Sequence, residues 1–156
     1  MAADCVLCKG IEGDGELFRT QVWEDRLWRL TMSLESEVAG FAYLEPKRHI
    51  PHITDLDGEE ALTFGTTIAR ISAALKDETG AELVYVYIFG GGVPHLHVHL
   101  APNRQGDALN EQMIKGDLIE TKLPNGASLL QSKDYPALPV ETQQAIADRM
   151  QARLKG

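Results

Sequence analysis

Three of the chain's five histidines stand at positions 95, 97 and 99, within the stretch GGGVPHLHVHLAP over 90–102. Alternate positions of a β-strand share a face, so His95, His97 and His99 would lie on one side while Leu96, Val98 and Leu100 turn to the core. Besides a plain solvated sheet face, two chemistries suit three imidazoles in five positions. They can hold a catalytic metal. Alternatively, one attacks a substrate while its neighbours orient it and stabilise the charge that develops. Cys5 and Cys8 form a second group. They read as a redox pair, as two buried thiols, or, joined by two histidines, as part of a tetrahedral Cys₂His₂ zinc site. Nothing around them reads as a strand entering a βαβ unit, which the redox reading needs. Gly90–Gly92 offer a tight turn or a nest of backbone N–H groups for an anion. Arg104, just past the histidines, offers a phosphate contact or a plain surface charge.

The chain that must position these groups has 156 residues, enough for one domain with a real core. Its 44% hydrophobic and 24% charged residues are an ordinary globular balance. A formal net charge of −8 argues against a nucleic-acid partner, which needs a basic face, yet allows a small anionic substrate in a local positive pocket. No stretch is long and apolar enough to span a membrane, and the opening MAADCVLCKGIEGDG has no apolar run of signal-peptide length. The expected location is the cytoplasm, where thiols stay reduced.

Periodicity assigns the elements. TQVWEDRLWRLTMS reads as two short strands around a turn at Glu24-Asp25, and GFAYLEP as a third strand stopped by Pro46. Phe64, Ile68, Ile71 and Leu75 mark one face of a helix, with Asp57 and Glu60 as its capping box and Gly80 closing it. AELVYVYIF is a strand, and HLHVHLAP follows the glycine run as another. Residues 103–138 read as irregular, with a short helix near Leu109–Leu118. Ile146, Met150 and Leu154 mark a terminal helix that starts near Pro139. Trp23 and Trp28 read as core or dimer contacts, and His52 as a surface or capping residue. The order suggests an α+β fold, an antiparallel sheet of about five strands with a central and a C-terminal helix on one face.

HLHVHLA over 95–101 resembles the His-φ-His-φ-His-φ-φ pattern (φ apolar) of the histidine triad (HIT) family. EPKRHI over 45–50 is similar to the family's Pro-Lys-X-His segment, and CVLCK followed by VWED to the opening of many bacterial members. The resemblance implies a HIT-like core over 1–104, with 105–156 as a C-terminal extension packed on the same domain. It implies a hydrolase acting on a phosphate ester, anhydride or phosphoramidate of a nucleotide. His97 would be the nucleophile that forms a nucleotidyl-imidazole, His99 would bond a phosphate oxygen, and His95 would complete the triad. A neutral imidazole is a suitable nucleophile near neutral pH. The resemblance also implies a structural zinc on Cys5, Cys8, His49 and His95, and a homodimer through the central helix and the strand AELVYVYIF. Small residues on that helix, Gly65, Ala69, Ser72 and Ala73, permit close approach of a second copy.

The departures define an alternative. Many members carry a histidine after a glycine, eight positions before the Pro-Lys-X-His histidine; here Phe41 stands there. The usual ribose-binding acid falls at Ser33, with Glu35 or Glu37 as substitutes if the loop is shifted. Polar side chains before the triad are replaced by Gly91 and Gly92, whose backbone N–H groups can still bind phosphate. The alternative is a degenerate module that binds a nucleotide or a partner protein with little turnover.

Overall fold

The computed structural model describes residues 4–105, 118–133 and 135–155. Five antiparallel strands form the main sheet in the order β1-β2-β3-β5-β4. They are β1 (Arg19–Glu24), β2 (Trp28–Ser33), β3 (Ala42–Pro46), β4 (Leu83–Tyr87) and β5 (Val98–Asn103). A short helix, α1 (Ile11–Asp14), precedes β1; α2 (Gly58–Thr79) connects β3 to β4, and α3 (Val140–Lys155) ends the chain.

The expected hairpin forms because Asp25 Oδ1 accepts the N–H groups of Leu27 (2.8 Å) and Trp28 (2.7 Å), an Asx turn. Period two then gives the sheet two unlike faces. Trp28, Leu30, Met32, Ala42, Leu44, Val98 and Leu100 point to one side and are fully buried against Ile71 and Leu75 of α2 and Ile146, Met150 and Leu154 of α3. A large apolar side chain buried in this way contributes about 1.5–3 kcal/mol relative to exposure. The other face carries Arg29, Tyr43, Glu45, Tyr87 and His99, and this is where the site is built. Gln143 ties α3 to the loop before β3. Its Nε2 donates to the carbonyls of Ser36 (3.2 Å) and Val38 (2.9 Å), and its Oε1 accepts the Gly40 N–H (2.9 Å). Gly40 must be glycine: its φ is +76°, and a Cβ there would meet Thr79 Cγ2 at 2.7 Å.

Two expectations are corrected. Asp57 is the N-cap of α2, but its side chain makes no capping bond. Arg48 takes both intended partners, reaching Asp57 Oδ1 at 2.6 Å and Glu60 at 3.2 Å, and charge-assisted bonds outcompete the neutral amide. Gly80 does close the helix, at φ +70°. Within 103–138, the described residues include a hairpin rather than irregular chain, β6 (Leu118–Lys122) paired with β7 (Ser128–Ser132). Pro124 lies in its turn, and Asn125 Oδ1 there accepts the Ala127 N–H (2.9 Å). The expected short helix near Leu109–Leu118 falls outside the described residues, apart from Leu118, which opens β6. Among the described residues no helix is long and apolar enough to cross a membrane.

Candidate active site and metal centre

The β5 ladder begins at Val98, so His99 is a strand residue, while His95 and His97 stand on the segment that leads into it. That lead is held by the Leu96 N–H, which donates to the Ile50 carbonyl at 2.7 Å. His97 Nδ1 lies 2.7 Å from the His95 carbonyl oxygen. A carbonyl only accepts, so the ring proton sits on Nδ1 and Nε2 keeps its lone pair. The His97 and His99 rings are 5.3 Å apart. His99 Nδ1 likewise faces the Tyr87 carbonyl, at 3.3 Å.

His95 does not share their open face. It is 1% exposed; its Nε2–H donates to the Pro46 carbonyl (2.8 Å), and its Nδ1 lies 3.4 Å from both Cys5 Sγ and Cys8 Sγ. Both ring nitrogens are thereby committed, so the three histidines do not converge on one metal. Burial, and secondarily the nearby His49 and His97 rings, hold the His95 imidazole below its usual pKa and favour the neutral form that a ligand needs.

Cys8 Sγ also lies 3.2 Å from His49 Nδ1, and the four ligand atoms of Cys5, Cys8, His49 and His95 are all within 4.8 Å of one another. A tetrahedral zinc with bonds of about 2.0–2.3 Å places neighbouring N and S ligands about 3.5 Å apart. The donor set therefore fits a closed Cys₂His₂ site, and the Pro46 carbonyl orients one ligand from behind. Burial, and then its neighbour Cys5, push the Cys8 thiol up to about 11 in the absence of a cation. The cysteine-bearing turn packs tightly: a Cβ on Gly13 would meet the Val6 carbonyl at 2.5 Å.

A buried ionic network anchors this turn to the sheet. Arg19 of β1 binds Asp14 of α1 (Nε–Oδ1, 2.8 Å) and, in bidentate fashion, Glu45 of β3 (2.9 and 3.2 Å). Arg29 of β2 binds Glu45 (2.8 Å), Asp14 and Gln21 (2.7 Å). Two cations and two anions, each no more than 6% exposed, balance each other.

Sequence reasoning missed the frame around His99. Its cross-strand partners are Tyr43 and Tyr87. Tyr87 stacks on the imidazole at 4.9 Å and 4°, with Tyr43 at 5.3 Å, Phe89 at 5.3 Å and Phe41 edge-on at 5.9 Å. The signal was present in the alternation of Tyr85, Tyr87 and Phe89, and of Phe41 and Tyr43. Burial raises the pKa of both Tyr43 and Tyr87, and the Glu37 carboxylate adds to each shift. Glu37, itself buried, thus brings negative charge to this face, which position 33 does not: Ser33 Oγ accepts the Glu35 N–H at 3.2 Å.

Gly91 and Gly92 are exposed beside the triad, and only Gly90 of the run needs glycine, with φ +74°. Arg104 is exposed just past the end of β5, five residues beyond His99.

Three comparisons bear on this geometry. Residues 15–106 match the family model described as HIT domain. A HIT-like protein of Mycobacterium tuberculosis is 30% identical over 123 residues, 74% of this chain and 81% of its own, and the bis(5′-adenosyl)-triphosphatase of Dictyostelium discoideum is 22% identical over 70% of this chain and 76% of its own. The crystal structure of a Zn-bound histidine triad family protein from Mycobacterium smegmatis superposes with a TM-score of 0.68 at 20% identity, covering 99% of this chain and 98% of its own. With the HIT domain matched over more than half its length, and with His95, His97 and His99 in order at the start of β5, the chain belongs to the HIT family.

Proposed function

We propose that the chain hydrolyses a phosphate ester, anhydride or phosphoramidate of a nucleotide, with His97 as nucleophile. The observation that carries this reading is the 2.7 Å bond from His97 Nδ1–H to the His95 carbonyl, which in the neutral ring places the free lone pair on Nε2, beside His99. Nε2 attacks phosphorus, the bond to the departing group breaks, and that group leaves with the electron pair and takes a proton from solvent. Water then attacks the same phosphorus and gives up a proton to solvent, and the P–N bond breaks to return the pair to Nε2. His99 Nε2, when protonated, stabilises the charge on a non-bridging oxygen. The nucleotide class is supported by the relative that acts as a bis(5′-adenosyl)-triphosphatase.

Cys5, Cys8, His49 and His95 would hold zinc, whose contribution is structural because all four positions are filled by protein. The Zn-bound neighbour supports the metal's identity. Residues 105–156 are proposed to extend the same domain, since α3 shares the core of the sheet.

The test is to mix the protein with diadenosine triphosphate, quench without acid and map the label by mass spectrometry. An adenylyl group on His97, and loss of turnover in His97→Ala with the fold retained, is the expected result. Full activity in that variant, or label on His95 or His99, overturns the assignment. Binding with neither adduct nor turnover favours the non-catalytic alternative, for which the bare Gly91 and Gly92 are the supporting observation.

A further inference from the structure

We infer that His52 is a specificity residue that meets the departing part of the substrate; this rests on the phosphohydrolase reading above. The two histidines read as acting at phosphorus, His97 and His99, are both engaged there, and His49 and His95 face the cysteines. That leaves the fifth histidine. His52 is exposed, and its Nδ1 lies 3.9 Å from where a Cβ on Gly90 would stand. Its imidazole therefore overhangs the glycine run that leads into the triad.

This placement is built into the fold. The Ile50 carbonyl accepts the Leu96 N–H, which runs the His49–His52 segment alongside the approach to His97. The His52 N–H donates to Asp55 Oδ2 (3.2 Å) and the His52 carbonyl accepts the Asp55 N–H (2.9 Å), fixing the residue at the head of a tight turn.

The space beside the next two glycines is open. A Cβ on Gly91 or Gly92 would meet nothing within 4 Å, and neither residue has positive φ. Neither packing nor backbone conformation requires glycine at these two positions, and their effect is to leave room. The run adjoins the site: Phe89, 72% exposed, directly precedes it and lies 5.3 Å from the His99 ring. On its other sides His99 is packed by Phe41, Tyr43 and Tyr87, and the neighbouring Leu96 and Val98 are buried. Substrate beyond the scissile bond has this open rim to cross, and His52 is the imidazole waiting on it, a donor suited to a phosphate oxygen.

The experiment measures binding in a His97→Ala background, which prevents turnover. Diadenosine triphosphate carries a departing group, whereas adenosine 5′-monophosphate does not. Adding His52→Ala should weaken diadenosine triphosphate about ten-fold or more, as expected for one lost charge-assisted bond, and leave the monophosphate within about two-fold. His52→Gln, which keeps a donor, should recover part of the loss. Equal weakening of both ligands, or of neither, overturns the role of His52. If neither ligand binds even before His52 is changed, the phosphohydrolase reading itself fails and takes this inference with it.

Discussion

His95 is the residue on which two sites meet. Its side chain faces the cysteines, while its main-chain oxygen, 2.7 Å from His97 Nδ1, selects the tautomer of the proposed nucleophile. Alternation in the sequence made the triad visible but not this division of labour, because His95 precedes the ladder that enforces period two. The aromatic frame of His99 was hidden for a related reason: Tyr43 and Tyr87 become neighbours only once strand register is known. The four candidate metal donors were legible through the resemblance, which joins His49 and His95 to the Cys5–Cys8 pair. Cys5→Ser is expected to remove the bound zinc and lower the thermal midpoint, since structural metal binding is folding free energy. Metal analysis and a melting curve of protein purified under reducing conditions without chelator provide the check. A metal-free wild type, or a variant that keeps one zinc per chain, would refute the staple.

At the scale of elements, what the periodic segments encoded was readable. The four-residue spacings of α2 and α3 fall on buried faces because the sheet they cover is apolar on one side. What was not readable was long-range ion pairing. Asp57 and Glu60 look like a capping box in isolation, and only the approach of Arg48 from the end of β3 diverts them. The bonds from Arg48 hold the Glu60 carboxyl below its ordinary 4.5, so the folded state binds its proton less readily than the unfolded chain. The resulting stabilisation is present above about pH 4.5 and disappears as pH falls through the depressed folded-state value. Glu60→Gln should therefore melt about 2 °C lower than wild type at pH 7, a small effect because Arg48 is half exposed. The gap should close as both proteins are taken well below pH 4.5. A pH-independent difference would mean that Glu60 acts through packing. The same Arg48 precedes His49, so α2 helps to place one of the four candidate metal donors. The network of Asp14, Arg19, Arg29 and Glu45 does the equivalent for the cysteine turn.

For the whole molecule, β4 forms one edge of the sheet, and among the described residues β5 is its one strand partner. α3 packs over β1 and β2, at the opposite side of the sheet from β4. Leu83 and Val86 of β4 are 45% and 42% exposed, and Leu62 on α2 is 84% exposed. Gly65 and Ala69, on the same helix, are also exposed and are small enough to admit a close neighbour. An open edge strand with apolar side chains favours association, which natural folds either block with charge or use. β4 carries no charged residue between Leu83 and Tyr87. We propose that the chain uses it, pairing β4 and α2 with their copies about a two-fold axis, where one patch serves both partners. Light scattering at micromolar concentration should give a mass near twice the 17.2 kDa of the chain. Val86→Lys would place like charges close to the axis and should shift the protein to monomer without unfolding it, as circular dichroism would verify. A wild-type mass of one chain would overturn the dimer. A variant that remains dimeric would move the interface away from β4.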